Sequence, residues 1–263
     1  MAIGSSDGSG GEPAVFQRLW LVLPLAIAAG LLVLDRTDVD LSLAARLYDP
    51  AAHAFPLRTT FLFDTVLHHW TKYAVMLLAC LAWGGYLLTH AVPGMRSYRR
   101  QLLFLGLALT LAPAAVAALK LVSDRHCPWD VVQFGGFAPY LALLESVPMG
   151  LAPGHCFPAG HATTGFSLMA FHFLGWSLAQ RWVSWGGLTL GLVVGFGLGF
   201  GRMAQGAHFL SHVLWSGLVC WIVLVALYAL ILRPCSVGRL PQANRSVHRI
   251  DPINSPQGDD DVK

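Results

Sequence analysis

Six long apolar runs, at about residues 17–34, 72–92, 101–120, 158–178, 185–201 and 209–232, limit this chain more than any motif in it. A helix needs roughly 20 apolar residues to cross the hydrocarbon of a bilayer, and each run is of that order. Lipid offers no partner to a free backbone group, so only helices or a closed barrel can cross it. Barrel strands are short and alternating, whereas these runs are continuous. Hydrophobic residues make up 55% of the chain and charged residues 12%, which is not the balance of a soluble domain. The reading is an all-α polytopic membrane protein with six transmembrane helices in one bundle over 17–233. A flexible tail (1–16) precedes the bundle, and a polar, Pro-rich, disordered cytoplasmic tail (234–263) follows it. The first run lacks a basic start and a clear cleavage site, so no cleaved signal peptide is expected.

Arginine placement orients the bundle. With an even number of spans, one side holds Arg18, Arg96, Arg99, Arg100, Arg181, Arg233, Arg239, Arg245 and Arg249 in short basic connections. The other side mixes Arg36, Arg46 and Arg58 with Asp35, Asp38, Asp40, Asp49 and Asp64 in a longer loop. Both termini are therefore expected in the cytoplasm. The net charge of +3 follows from this bias and gives no reason to invoke nucleic acid.

Faithful alternation brings four helix ends to the outer face: the end of span three, the start of span four, the end of span five and the start of span six. Lys120 and Arg125 follow span three, His161 opens span four, Arg202 closes span five, and His208 and His212 open span six. His208 and His212 are four apart, hence on one helix face. Each alone is an ordinary interfacial residue, since Lys and Arg snorkel and histidines settle at interfaces. Together, three cations beside three imidazoles describe a site for a polyanion such as phosphate. In "CFPAGHATTGF", Pro158 suits a first helical turn, and Ala159 and Gly160 are expected to leave the first N–H groups open to an anion.

The segments "KLVSDRHCP" (120–128), "PAGH" (158–161) and "GRMAQGAHFLSH" (201–212) resemble, in order and spacing, the signatures K-x6-R-P, P-S-G-H and S-R-x5-H-x3-D of the type 2 phosphatidic acid phosphatase superfamily. The resemblance covers roughly residues 60–230. It implies that His208 attacks phosphorus to give a phosphohistidine, and that His161 protonates the leaving oxygen and then activates water. Lys120, Arg125 and Arg202 would hold the phosphate oxygens, with no cofactor and no metal. The chain departs from the signatures in several places. Cys127 stands directly before Pro128, with Arg125 two positions earlier. Ala159 replaces serine, Gly201 replaces serine, and His212 replaces the aspartate that would orient the nucleophile. His212 is expected to serve as a neutral orienter, so that His212→Asp preserves or raises turnover. The H-x3-H spacing of "HFLSH" also suits zinc, with His161 as a third ligand. No acidic or thiolate ligand is expected to adjoin the pair, and three cations would repel the ion.

The loop at 121–157 is either a lid at the membrane surface, with Trp129, Phe137 and Tyr140 at headgroup depth, or a passive connector. Cys80 and Cys220 read as small core residues. Cys127 and Cys156 both face the oxidising side, and a disulfide is expected between them. The expected protein is a phosphatase of lipid phosphates or pyrophosphates at the outer face of a bacterial inner membrane, its active site facing the periplasm. Candidate substrates are undecaprenyl pyrophosphate, phosphatidylglycerol phosphate, phosphatidic acid and lipid A phosphates. A lipid phosphotransferase using the same phosphohistidine, and a non-catalytic lipid-phosphate binding protein or transporter, are the alternatives.

Overall fold

The computed structural model describes residues 22–59 and 70–233. The tails at 1–16 and 234–263, the start of the first run, Arg18, Asp64, Arg239, Arg245 and Arg249 lie outside the described residues. The described chain is helical: α1 (Leu23–Leu34), α2 (Val39–Leu47), α3 (Thr71–Ala91), α4 (Arg99–Leu121), α5 (Gly160–Phe166), α6 (Ala170–Ser177), α7 (Arg181–Ala204) and α8 (Leu210–Leu227). A 3-10 segment, Pro93–Tyr98, leads into α4, and a π turn, Tyr228–Leu232, closes α8.

Among the described residues, four helices are long and apolar enough to cross a membrane: Thr71–Ala91, Pro93–Leu121, Arg181–Ala204 and Leu210–Leu232. The other two expected spans differ in form. The described part of the first is the 12-residue α1. The fourth is broken into α5, a 3-10 turn at Ser167–Met169, and α6. The break has a local cause. The hydroxyls of Thr163 and Ser167 donate to carbonyls three residues back, at 2.5 and 2.9 Å, and such back-bonding competes with the α-helical ladder and tightens the turn.

The α5–α6 segment lies against α7, and glycine makes that approach possible. Gly187, Gly191, Gly195 and Gly199 recur every four residues along α7. A methyl added at the first three would collide with Phe171 and His172, with Met169 and with the Phe166 ring; one at Gly199 would strike Val213. A methyl at Gly165 of α5 would run into the backbone of Gly195 itself. Small residues at helix contacts are the usual device where lipid removes the hydrophobic drive for helices to associate. Phe104 of α4, Phe166, Phe173 and Leu224 of α8 fill the adjoining core.

A second apolar cluster sits beside the site end of the bundle. Tyr48, Phe55 and Phe134 meet edge to face with centroids 5.3 to 5.6 Å apart, over Ala44, Val131 and Phe209. It fixes the loop between α4 and α5 onto α2 and the turn before α8. Cys220 is buried as expected, whereas Cys80 lies on an exposed face of α3.

Candidate active site

Four helix ends meet. Lys120 stands in the last turn of α4, His161 is the second residue of α5, Arg202 is in the last turn of α7, and His212 is in the first turn of α8. His208 lies in the tight connection between α7 and α8. Gly206 opens that connection with a φ of 71°, a left-handed conformation that glycine adopts without strain. A methyl there would also collide with the Phe55 ring.

His208 is 3% exposed. Its ring centroid is 6.4 Å from that of His161 and 5.8 Å from that of His212. Burial, followed by the positive charges of His212, Lys120, His161 and Arg202, holds its pKa well below the usual imidazole range. The ring is thus kept neutral, with a lone pair available at neutral pH. The Arg202 guanidinium is aimed by Gln205, whose Oε1 accepts from it at 2.7 Å, and Gln205 in turn donates to the Arg58 carbonyl at 3.3 Å.

The start of α5 is stitched to α8. The Ala159 N–H donates to the His212 carbonyl at 3.1 Å, and the Ser216 hydroxyl approaches the carbonyls of Ala159 and His212 at 3.0 and 2.8 Å. The expected open N–H at Ala159 is therefore already occupied, because helix packing used it first. Beside Gly160 the space is open, with nothing within 4 Å of where its Cβ would be. Arg125 stands apart from the charges on His208. Its Nη2 donates to the Glu145 carbonyl at 2.6 Å, and its side chain lines a small cavity with Asp35, His126, Ser211 and His212. His212 makes no hydrogen bond to His208; its ring meets the Phe157 and Phe209 rings edge to face, with centroids 5.4 Å apart in each case.

Cys127 and Cys156 form a disulfide, with Cα atoms 5.3 Å apart. It brings a sulfur into the site: Cys156 Sγ is 3.6 Å from His208 Nδ1 and 2.9 Å from the Ala207 carbonyl oxygen. The donor atoms of Cys156, His208 and His212 all lie within 4.8 Å of one another, so a sulfur does adjoin the histidine pair. Cysteine ligates a metal as its thiolate, and a sulfur bonded to another sulfur is not one. His161, the third ligand of the zinc reading, is not in that group.

The loop carrying the disulfide is tied down along its length. Trp129 donates its N–H to the Gly206 carbonyl at 3.1 Å and has the Arg58 guanidinium 4.5 Å from its ring centroid. Tyr140 packs on Phe209, 5.2 Å between centroids, and Phe137 is exposed. Leu143 donates its N–H to Asp35 at 2.5 Å.

Asp40 is a contributor that sequence reasoning passed over. It is buried; its Oδ1 accepts the Ser211 N–H at 2.9 Å and its Oδ2 accepts the Ser211 hydroxyl, with Tyr140 Oη at 3.4 Å. Burial raises its pKa, opposed by the Ser211 hydrogen bonds. The α8 N-cap is Phe209, which has no side-chain acceptor, so the free N–H groups of that helix start need one from elsewhere. A phenylalanine at a helix start was the available signal.

The PAP2 superfamily model matches residues 101–234, which include every residue placed above at the four helix ends. The chain is 27% identical over 224 residues to a "Lipid A 4'-phosphatase" of Francisella tularensis subsp. novicida (strain U112), covering 82% of this chain and 97% of that protein. No solved structure matches.

Proposed function

Since the chain belongs to the PAP2 superfamily, we propose that it is a membrane lipid phosphatase in which His208 is the nucleophile and His161 the proton donor. The observation that carries this reading is the buried imidazole of His208 with Lys120, His161 and Arg202 around it. An imidazole held neutral is a nucleophile at pH 7. Cations fixed beside it stabilise the charge that gathers on the equatorial oxygens of a transferring phosphoryl group.

His208 Nε2 attacks phosphorus and the bond to the lipid oxygen breaks. His161 gives that oxygen its proton, and the neutral lipid alcohol leaves. His161 then takes a proton from water, whose oxygen attacks the phosphohistidine, and inorganic phosphate is released with His208 restored. Lys120 and Arg202 hold the phosphate oxygens throughout, with the Gly160 N–H as a further donor. Arg125 acts from one layer further out, through its charge near His212.

We also propose that α1 with the residues before it, and α5 with α6, complete six crossings. Both termini would then be cytoplasmic, and the site would face the periplasm of a bacterial inner membrane. A site at the membrane rim takes a phosphate headgroup while the acyl chains stay in lipid. The Francisella relative makes lipid A 4'-phosphate the first substrate to test. Full-length protein in detergent should release inorganic phosphate from one of lipid A, phosphatidic acid, phosphatidylglycerol phosphate or undecaprenyl pyrophosphate, and His208→Ala should not. Transfer of the phosphate to a second lipid instead of water would make it a transferase. Equal rates for wild type and His208→Ala would end the assignment.

A further inference from the structure

The nucleophile of such a site needs a partner on its second ring nitrogen, because that partner decides which nitrogen carries the proton and which the lone pair. His212 occupies the sequence position from which an acid would do this, yet its ring makes no hydrogen bond to His208 and packs edge to face on Phe157 and Phe209. What faces His208 Nδ1 is a sulfur, Cys156 Sγ at 3.6 Å. That sulfur is held by bonds that do not involve His208. Cys156 is bonded to Cys127, and its N–H donates to the Arg125 carbonyl at 2.8 Å. The neighbouring His155 N–H donates to the Ser123 carbonyl at 3.1 Å, and Gly154 passes so close to Arg125 and His126 that a side chain there would collide with their backbone. Residue 156 itself is 1% exposed.

A disulfide sulfur has no hydrogen, so in this contact it can only accept. The donor must then be Nδ1–H. We propose that Cys156, as half of the Cys127–Cys156 disulfide, is the positioning residue of His208: its sulfur accepts from Nδ1–H and so leaves the lone pair on Nε2. This rests on the reading of His208 as nucleophile.

The arrangement depends on oxidation state. A dithiol reductant adds two electrons and two protons to the pair, gives two cysteine thiols, and becomes a disulfide itself. Cys156 then carries an S–H able to donate either to His208 Nδ1 or to the Ala207 carbonyl, 2.9 Å away, and the tautomer of His208 is no longer imposed. Reduction should therefore lower kcat with little change in KM.

The test reads the tautomer directly. In full-length wild-type protein labelled with 15N-histidine, with His208 assigned by its loss in His208→Gln, the oxidised form should show a protonated Nδ1 and a bare Nε2. Reduction should mix the two tautomers. A ring protonated on Nε2 in the oxidised protein would overturn the proposal, as would a spectrum unchanged after both thiols are shown to be free by labelling. A kinetic arm compares Cys127→Ala/Cys156→Ala with Cys127→Ala/Cys156→Asp. Both lack the cross-link, but only the second restores a group that only accepts. The aspartate variant should recover at least about tenfold in kcat, the order of effect seen when partners behind a reacting histidine are changed. Equal kcat values would show the disulfide to be structural only. Absence of phosphate release by wild-type protein from every lipid phosphate would instead defeat the phosphatase reading, while the tautomer would still be measured.

Discussion

Two histidines of this bundle are buried to nearly the same degree, His172 at 5% exposure and His208 at 3%, and they live in opposite surroundings. His172 Nδ1 lies 2.9 Å from the Ser184 hydroxyl, and its ring is enclosed by Phe173, Trp176, Trp185 and Trp221. His208 has a soft sulfur contact, lies beside the His161 and His212 rings, and feels the charges of Lys120 and Arg202. A buried histidine with a hydroxyl partner and aromatic walls is an ordinary packing unit. A buried histidine ringed by cations is costly to keep and points to a ligand that neutralises them. The lesson is that burial alone separates nothing; the sign of the neighbouring charge does.

The largest expected effect strikes one member of the pair. His208→Ala should lower kcat by at least about 10⁴-fold, as loss of a nucleophile does, while His172→Ala leaves turnover per folded molecule nearly unchanged and lowers the melting temperature. A folded but inactive His172→Ala would break the contrast. Next, Arg202→Ala should lower kcat by about 10²- to 10³-fold, the loss typical of one electrostatic donor, as read by phosphate release at saturating substrate.

Gly165→Ala tests the seam between α5, which carries His161, and α7, which carries Arg202. The added methyl meets the Gly195 backbone, and overpacking of this kind costs roughly 1–3 kcal/mol, visible as a lower unfolding midpoint in detergent. The smallest effect is in pH. Because the fold holds His208 neutral, the acid limb of kcat/KM assigned to it should fall below about pH 6.5, the ordinary imidazole value. The unfolded chain binds that proton near pH 6.5 and the folded chain does so only at lower pH, so stability should fall as pH drops below about 6.5. Lys120→Gln removes one of the opposing charges and should move the limb upward. A limb at or above the ordinary value would show that His208 does not differ from an unperturbed imidazole.

The apolar runs announced the helices because backbone bonding in lipid leaves few options, and alternation alone carried Lys120, His161, Arg202 and His208 to one end. The cysteine pair was legible for a similar reason, since both residues flank the same loop on the same side. Contacts between segments distant in the chain were not legible. Nothing local says that the Ala159 N–H is taken by the His212 carbonyl, or that Asp40, read as one acid of a mixed loop, serves Ser211 171 residues later. The four-residue recurrence of glycine in α7 was in plain view, but reading for hydropathy passes over a residue with no side chain. Arg125 was placed near the phosphate by its type; that its Nη2 also donates to the Glu145 carbonyl, 20 residues on, was not legible.

The meeting of Gly165 with Gly195 acts as a ruler. One helical turn above it is His161, and about two turns beyond it on the other helix is Arg202, so the spacing between imidazole and guanidinium is measured from main chain lying against main chain. Main chain has no rotamers to exchange. Thermal motion that reshuffles side chains elsewhere has little purchase on that interval, so the imidazole and the guanidinium keep a set separation.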